Sequence, residues 1–459
     1  MSNPTPDSKH PHAIAVIGAA TAGAEVAARL AAHGAQVAVF EMNPRPYGKV
    51  EDGLPRWHHA LRQKEYEVIV GKLSHPGVHF VPTTKIGRDV ALEDLTSRWG
   101  FSAVVLACGA WRDRPLPIEG ADRYLGKGLV YQNPFIIWFN HAGEKDYHGP
   151  RFVIEDDVIV VGGGLASIDV AKAHMLEITR AALAKRGIDS TVLDLEVGGI
   201  PKFLEKHRLT WEELGIQGCT LFYRRRIEDM PLMEAPEGAD AARLAKVEAG
   251  RRKILEKAME KYFFKVEPLA SPDGLLVEDG RLVGLRFRRM HVDSQNGNKL
   301  VPTDATFERR GRYVVSSIGS IPDPIPGLPT KGELLAFDDW DLGRMRAFPT
   351  LFGAGNVVTG KGNIVASRKH ATHVSQRMVE AFLGVGPEGH AGEEKLLDGV
   401  TSAAAEAAEV VAGEIAKLPP PPAEKLAQAL AHVKSRQDAV GFKGSVPVWI
   451  REHTPPDLE

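Results

Sequence analysis

The chain holds only two cysteines, Cys108 and Cys219, far apart in sequence. Two isolated thiols exclude a disulfide framework, a Cys-x-x-Cys redox pair and a cysteine-ligated iron–sulfur cluster. Also missing is any apolar run of the roughly 18 residues that a membrane span needs. The one early apolar stretch, Ala13 to Ala20, is short and lacks a basic leader, so it does not read as a secretion signal. Nor does charge of one sign dominate. Lys and Arg number 57 against 59 Asp and Glu, a formal net charge of -2 that draws the chain neither to nucleic acid nor to an anionic membrane. These absences predict a cytoplasmic protein with no metal centre, in which any electrons travel on a bound organic cofactor. What remains is ordinary globular composition, 43% hydrophobic and 25% charged over 459 residues, enough for two or three domains.

Residues 13–17 form a short apolar run that reads as a buried parallel strand. It ends at Gly18, continues through Ala20 to Gly23, and gives way to a helix predicted from about Ala22 to His33. A second strand, Gln36 to Phe40, ends in Glu41, 18 residues after Gly23. This strand–turn–helix–strand unit aims a helix N-terminus at a pyrophosphate and offers the acid to a ribose. Its middle glycine is replaced by Ala20, whose Cβ would push the phosphates slightly outward.

A second unit begins with the strand Asp157 to Val161 and continues Gly162-Gly163-Gly164-Leu165-Ala166-Ser167 into a helix predicted to about Glu177. Gly162 and Gly164 fill the first two glycine positions, and the small Ser167 fills the third. Residues 179–217 read as a mostly helical insertion, after which the next strand, Cys219 to Tyr223, ends in Arg224-Arg225-Arg226. An NAD site usually carries an acid at that tip. Arginines suit a 2′-phosphate through paired, charge-assisted hydrogen bonds, so the pattern favours NADP(H).

Further strands are predicted at Ala103 to Ala107, leading to Cys108-Gly109-Ala110, at Tyr313 to Ser317, and at Leu351-Phe352, leading to Gly353-Ala354-Gly355-Asn356. The glycine-rich stretch through Gly360, Gly362, Asn363 and Ile364 then feeds a helix predicted over 365–382. The fold class expected is α/β, with two Rossmann-like dinucleotide-binding domains. An FAD domain split into 1–112 and 322–385 would hold an NADP(H) domain, 113–321, inserted in it. A helical, proline-interrupted extension, 386–459, would follow, with helices over 392–417 and 423–437 and an irregular end.

Taken together, residues 13–383 resemble adrenodoxin reductase and the bacterial ferredoxin–NADP reductases. Tyr47-Gly48-Lys49-Val50 resembles that family's Phe-Gly-Leu-Val segment, and His58 falls at its Asp-His-Pro histidine. Gly87-Arg88-Asp89-Val90 is similar to a segment near the flavin adenine, and Trp138-Phe139-Asn140 to a Trp-Tyr-Asn motif. Arg224-Arg225 falls on the arginine pair for the 2′-phosphate. Tyr223-Arg-Arg with Met230-Pro231 also resembles the glutamate synthase small subunit, a wider relative. Departures are Ala20, Gly355-Asn356 in place of Gly-Trp, and Gly360-Lys361-Gly362-Asn363-Ile364-Val365 in place of Gly-Pro-Thr-Gly-Val-Ile. The family's glutamate near the nicotinamide aligns to Pro236 or Glu237.

The resemblance implies FAD and NADP(H) as cofactors, with a hydride passing between them and electrons leaving for a ferredoxin or flavodoxin. It implies His58 and Glu237 as catalytic candidates. Cofactor contacts are expected from Gly18, Ala20, Gly23, Glu41, Gly48, Val50, Val90, Gly109, Gly162, Gly164, Leu165, Ser167, Arg224, Arg225, Gly355, Asn356, Gly362, Asn363 and Ile364. An acidic carrier would suit a basic helix, and Arg251, Arg252, Lys253 and Lys257 cluster in a segment, 243–265, with eight Lys or Arg and three Glu. Two alternatives stay open, an NADPH-oxidising flavin subunit of a larger complex and a nucleotide-binding protein without turnover. Replacing both Arg224 and Arg225 by alanine is expected to weaken NADPH binding by about ten- to a hundredfold, the loss of charge-assisted hydrogen bonds. Titration with both nicotinamides checks this, since equal losses with NADH would contradict the 2′-phosphate assignment.

Overall fold

The computed structural model describes residues 11–233, 235, 238–293, 296–340, 343–359 and 375–456. Strands buried on both faces need helices on both sides and so become parallel. Five such strands form the first sheet, in the order Leu351–Gly353, Ala103–Leu106, Ala13–Ile17, Gln36–Phe40, Val78–Val81. The register sets Ile14 between Val37 and Ala103, and every residue of the central strand Ala13–Ile17 is buried. Helix Thr21–Ala32 begins one residue before its predicted start and buries Ala24, Ala27 and Ala31 against the sheet.

The second sheet repeats this plan in the order Leu129–Tyr131, Val314–Ser317, Val158–Gly162, Cys219–Tyr223, Lys265–Pro268, again all parallel. Its first helix, Leu165–Ala184, runs beyond the predicted end at Glu177 because its apolar face continues to Leu183. The insertion is helical as expected, with Val192–Gly198, Ile200–Lys206 and Trp211–Leu214. Gly199 joins the first two at φ +84°, a value that glycine adopts without strain. The chain passes between the two sheets through Arg112–Asp113 and returns through Ser320–Ile321, and these two crossings pair antiparallel. The architecture is thus the expected one, two dinucleotide-type α/β units with the second inserted into the first.

Two parts differ from the sequence expectation. Ala270–Glu278, Arg281–Asp293 and Lys299–Arg310 form a three-stranded antiparallel sheet that the sequence reading passed over. Arginines crowd its exposed positions and mask the alternation, while Phe287 stacks on Phe222 of the neighbouring parallel sheet. The end of the chain, read as irregular, contains a helix, Val446–His453, begun by Ser445, whose side chain accepts from the Val448 amide.

The extension is part of the first core. Helix Lys395–Ile415 lays Ala404, Ala408 and Val411 against helix Thr21–Ala32, where small side chains permit close approach. From helix Ala423–Ala439, Gln437 donates to the Phe80 carbonyl at 2.8 Å and Arg436 to Thr84 Oγ1 at 2.9 Å. Trp449 is buried against Phe442 and donates its Nε1–H to the Pro44 carbonyl at 2.7 Å. Among the described residues no helix is long and apolar enough to cross a membrane. Trp449→Ala is expected to cost about 3 kcal/mol of stability, the usual loss for a truncated core aromatic. Urea unfolding of the full chain measures it, and an unchanged midpoint would mean that the extension is an appendage.

Candidate functional site

Both glycine turns exist because a Cβ has no room there. At the first, Gly18 has φ +99°, and a Cβ on it would lie 2.6 Å from the Ala107 carbonyl oxygen. One on Gly23 would fall 1.9 Å from the Gly18 carbonyl oxygen, so the helix starts flush against its strand. The first-turn amides, which have no partner within the helix, then face the mouth of the sheet. At the second turn a Cβ on Gly162 would meet Ser167 Oγ at 2.2 Å and the Ser317 carbonyl at 2.4 Å. A Cβ added to Gly164 would meet nothing closer than Pro231 Cγ at 4.0 Å, so that side of its backbone is open to a ligand. Its N–H donates to Ser167 Oγ at 3.2 Å, so the serine closes the turn from inside.

One cleft runs from the first turn to the start of the helix that follows the second. Gly18, Ala20, Glu41, Gly48, Val50, Gly109, Leu165 and Asn356 all line it, eight of the residues expected to touch a cofactor. Glu41 does more than offer a ribose acceptor. Its carboxylate receives the Ala19 amide at 2.9 Å and the Asn43 amide at 2.9 Å, bracing the turn itself. Burial pushes its pKa up to about 7 against the pull of those two N–H groups. Cys108 also lines the cleft, but burial lifts its thiol to about 12, so it is no thiolate at neutral pH.

Gly23, Gly162, Gly164 and Ser167 shape their turns without lining the cleft. Val90 is buried and bridges to Ile86, which does line it. Gly355 has φ +71° and sits 3.0 Å, by the position of an added Cβ, from the Ala22 methyl. Glu237, Gly362, Asn363 and Ile364 lie outside the described residues. Arg224 is exposed at the end of its strand, while Arg225 donates to the Asn298 carbonyl at 3.1 Å and lies 3.4 Å from Asp229.

His58 does not line the cleft. It is fully buried behind it, stacked at 4.4 Å on Phe382, which is a lining residue. Trp57 Nε1–H donates to His58 Nε2 at 2.9 Å, which leaves the ring proton on Nδ1, 2.6 Å from Glu393 Oε2. With both nitrogens so engaged, the grouping of His58, His390 and Glu393 is a hydrogen-bonded chain with no lone pair of His58 free for a metal. It continues from His390 Nε2 to Glu196 at 2.9 Å and from Glu196 to Lys172 at 2.7 Å. Burial opposes the charge on Glu196, but Lys172 and His390 hold it well below the usual carboxylate range. Burial pushes His58 down to about 4.

The basic helix is less bare than its sequence suggests. Arg251 turns inward to the carbonyls of Met233 and Glu228 at 2.9 and 2.7 Å, Arg252 pairs with Glu228, and Lys257 pairs with Glu380 at 2.8 Å. Lys253 is exposed. Acids brought in from other elements offset charges that look unbalanced along the helix itself.

Sequence reasoning missed several residues of the cleft wall, among them Lys49, Trp111, Asn133, Asp169, Phe382, Leu397 and Val400. Asp169 could have been found, because it stands one helical turn after Leu165 and so shares its face. Leu397 and Val400 come from the extension and carry no local signal.

A family model for pyridine nucleotide-disulphide oxidoreductases matches residues 12–196. The Escherichia coli protein AegA is 24% identical over 400 residues, which is 81% of this chain and 49% of that protein. The chain therefore spans about half the length of that relative. Mitochondrial NADPH:adrenodoxin oxidoreductase of Arabidopsis thaliana is 24% identical over 409 residues, 78% of this chain and 80% of that protein. The structure of Mycobacterium tuberculosis FprA in complex with NADPH superposes with a TM-score of 0.61 at 21% identity, covering 93% of this chain and 91% of that one. The chain is thus similar, at 21 to 24% identity, to proteins of the adrenodoxin reductase type. An oxidoreductase class and the pair FAD and NADP(H), both expected from the sequence, agree with these comparisons.

Asp169 gives the site a pH signature. It is buried, its Oδ1 has no hydrogen-bond partner among the described residues, and burial lifts its pKa from 3.8 to about 7. Between those values the folded chain holds a proton that the unfolded chain has lost, so this contribution to stability falls as pH rises. Asp169→Asn is expected to flatten the decline in urea midpoint between pH 5 and pH 8, roughly the window set by that shift. A variant with the same slope as the wild type would show that Asp169 is ionised throughout.

Proposed function

We propose that the chain is a flavoprotein oxidoreductase that holds FAD along the cleft from the Gly18–Ala22 turn and receives NADP(H) on the Gly162–Ser167 turn. It passes electrons to a one-electron carrier such as a ferredoxin or flavodoxin. The observation that carries this reading is that one cleft is lined on one side by the first turn, Gly18 to Ala22, and on the other by Leu165, Ala166 and Asp169, which open the helix that follows the second turn. A cradle that a Cβ would fill at Gly18 and an open backbone at Gly164 fit two dinucleotides. When bound, the flavin accepts a hydride and gives up its electrons one at a time, chemistry that no side chain here supplies.

The chain's own residues bind and align. Backbone amides of the two turns take the phosphates, Glu41 fixes the adenosine end, and Arg224 with Arg225 selects the 2′-phosphate. Phe382, Leu397 and Val400 shield the wall from water. His58 acts through Phe382, as a positioning residue, and Glu237 belongs to the nicotinamide end by resemblance. Residues 1–112 and 322–385 form the FAD part, 113–321 the NADP(H) part and 386–459 the extension, in a protein of the cytoplasm. Docking of an acidic carrier rests on the face of the helix that carries the exposed Lys253.

A second reading, an electron-input module of a larger assembly, is favoured by the E. coli relative being twice as long as the region it shares. An anaerobic titration decides between turnover and mere binding. The purified chain is expected to show flavin bands that bleach with NADPH faster than with NADH. Reduction of cytochrome c only with added ferredoxin supports the first reading, and co-purification with a large partner supports the second. A flavin that NADPH leaves oxidised would overturn both.

A further inference from the structure

We propose that Lys49 is a cofactor-binding cation of this cleft, whose ammonium neutralises the pyrophosphate of FAD held over the Gly18–Ala22 turn. The inference rests on the flavin reading above and deepens it.

Position comes first. Lys49 lines the cleft and opens the short helix Lys49–Asp52 directly after Gly48. Gly48, at φ +53°, lies against the first glycine turn, for a Cβ on it would stand 2.8 Å from the Ala20 methyl. The backbone of Lys49 therefore leaves from beside the amides that face the phosphates. The family segment that this stretch resembles has leucine at this position, and a glycine where Ala20 stands. The added methyl lies against Gly48, and the added charge is carried by the residue that follows it.

Electrostatics comes second. The ammonium donates to Asn133 Oδ1 at 3.1 Å and Ser320 Oγ at 3.0 Å, both neutral, and stands 5.7 Å from the Trp111 ring centroid. No carboxylate lies within ion-pair distance of it among the described residues. An ammonium has three N–H donors, so one remains for an anion. Asp52 on its own helix, Asp113 on the outgoing crossing and Asp323 beyond the returning one attract it from a distance, yet burial prevails and lowers its pKa to about 8. The other lysine of the lining, Lys85, is exposed and adjoins Thr84 and Ile86 at the adenosine end. A desolvated cation with only neutral partners is a costly arrangement that a bound diphosphate would relieve.

The test uses the full apoprotein and quenching of flavin fluorescence. Lys49→Leu is expected to weaken FAD about tenfold or more, as loss of a charge-assisted contact implies. It should also flatten the salt dependence of FAD binding and leave riboflavin, which has no phosphate, bound as in the wild type. FAD binding above pH 8 should take up a proton in the wild type and none in the variant. Thermal midpoints of the apoproteins check folding, and Lys49→Gln, which keeps a donor but no charge, should reproduce the loss. Unchanged FAD affinity in both variants, or parallel losses of FAD and riboflavin, would overturn the proposal alone. A wild-type chain that binds no FAD would overturn the flavin reading together with it.

Discussion

Everything in this molecule depends on a helix being allowed to start in contact with the end of its own strand. At Gly23 the spacing is so close that the Gly18 carbonyl occupies the volume of any β-carbon. At Gly162 a serine hydroxyl and a carbonyl do the same. The consequence is electrostatic as well as steric. Once the helix is flush with the sheet edge, its unpaired first-turn amides all point out of the strands' carboxyl ends, the place where open parallel sheets take ligands. Two sheets built this way, joined by a pair of crossing strands, bring the first turn and the helix after the second to a single cleft.

Holding the two mouths in register falls to a buried polar chain. Trp57 and His58 from the first unit, His390 and Glu393 from the extension, and Glu196 and Lys172 from the second unit are linked by hydrogen bonds of 2.6 to 2.9 Å. Lys172 also sits 4.2 Å over the Trp57 ring, so the second unit's cation rests on the first unit's aromatic. A buried ion pair of this kind adds little net stability compared with apolar packing, yet losing one partner leaves a stranded charge. Its contribution is thus to specify one relative placement of the parts. The extension takes part twice, through this chain and through the alanine face packed on helix Thr21–Ala32.

What could be read along the chain was whatever has a local cause. Apolar runs ending in glycine marked the central strands of both sheets within a residue or two, because burial on both faces and a forced close turn leave their signature in consecutive residues. The acid at Glu41 and the arginines at 224–226 were legible for the same reason, standing at a strand tip whose position the turn had already set. The antiparallel sheet over 270–310 escaped, since its alternation is blurred by arginines that find Asp273, Glu267 and Glu278 in space. The charge balance of the basic helix was hidden for the same reason, since Arg252 and Lys257 are answered by Glu228 and Glu380 from other elements.

By itself, then, the sequence determined the α/β class and two glycine turns that each open a helix, and it excluded a cysteine-based electron carrier. Each follows from short-range sterics and chemistry. Only the tertiary structure decided that Lys49 meets Asn133 and Ser320, that Asp169 lines the cleft with one oxygen left without a partner among the described residues, that His58 lies behind Phe382, and that the extension completes the wall. Those outcomes depend on which surfaces pack together over separations of tens to hundreds of residues. Burial then sets the charge state of groups that would be unremarkable in water.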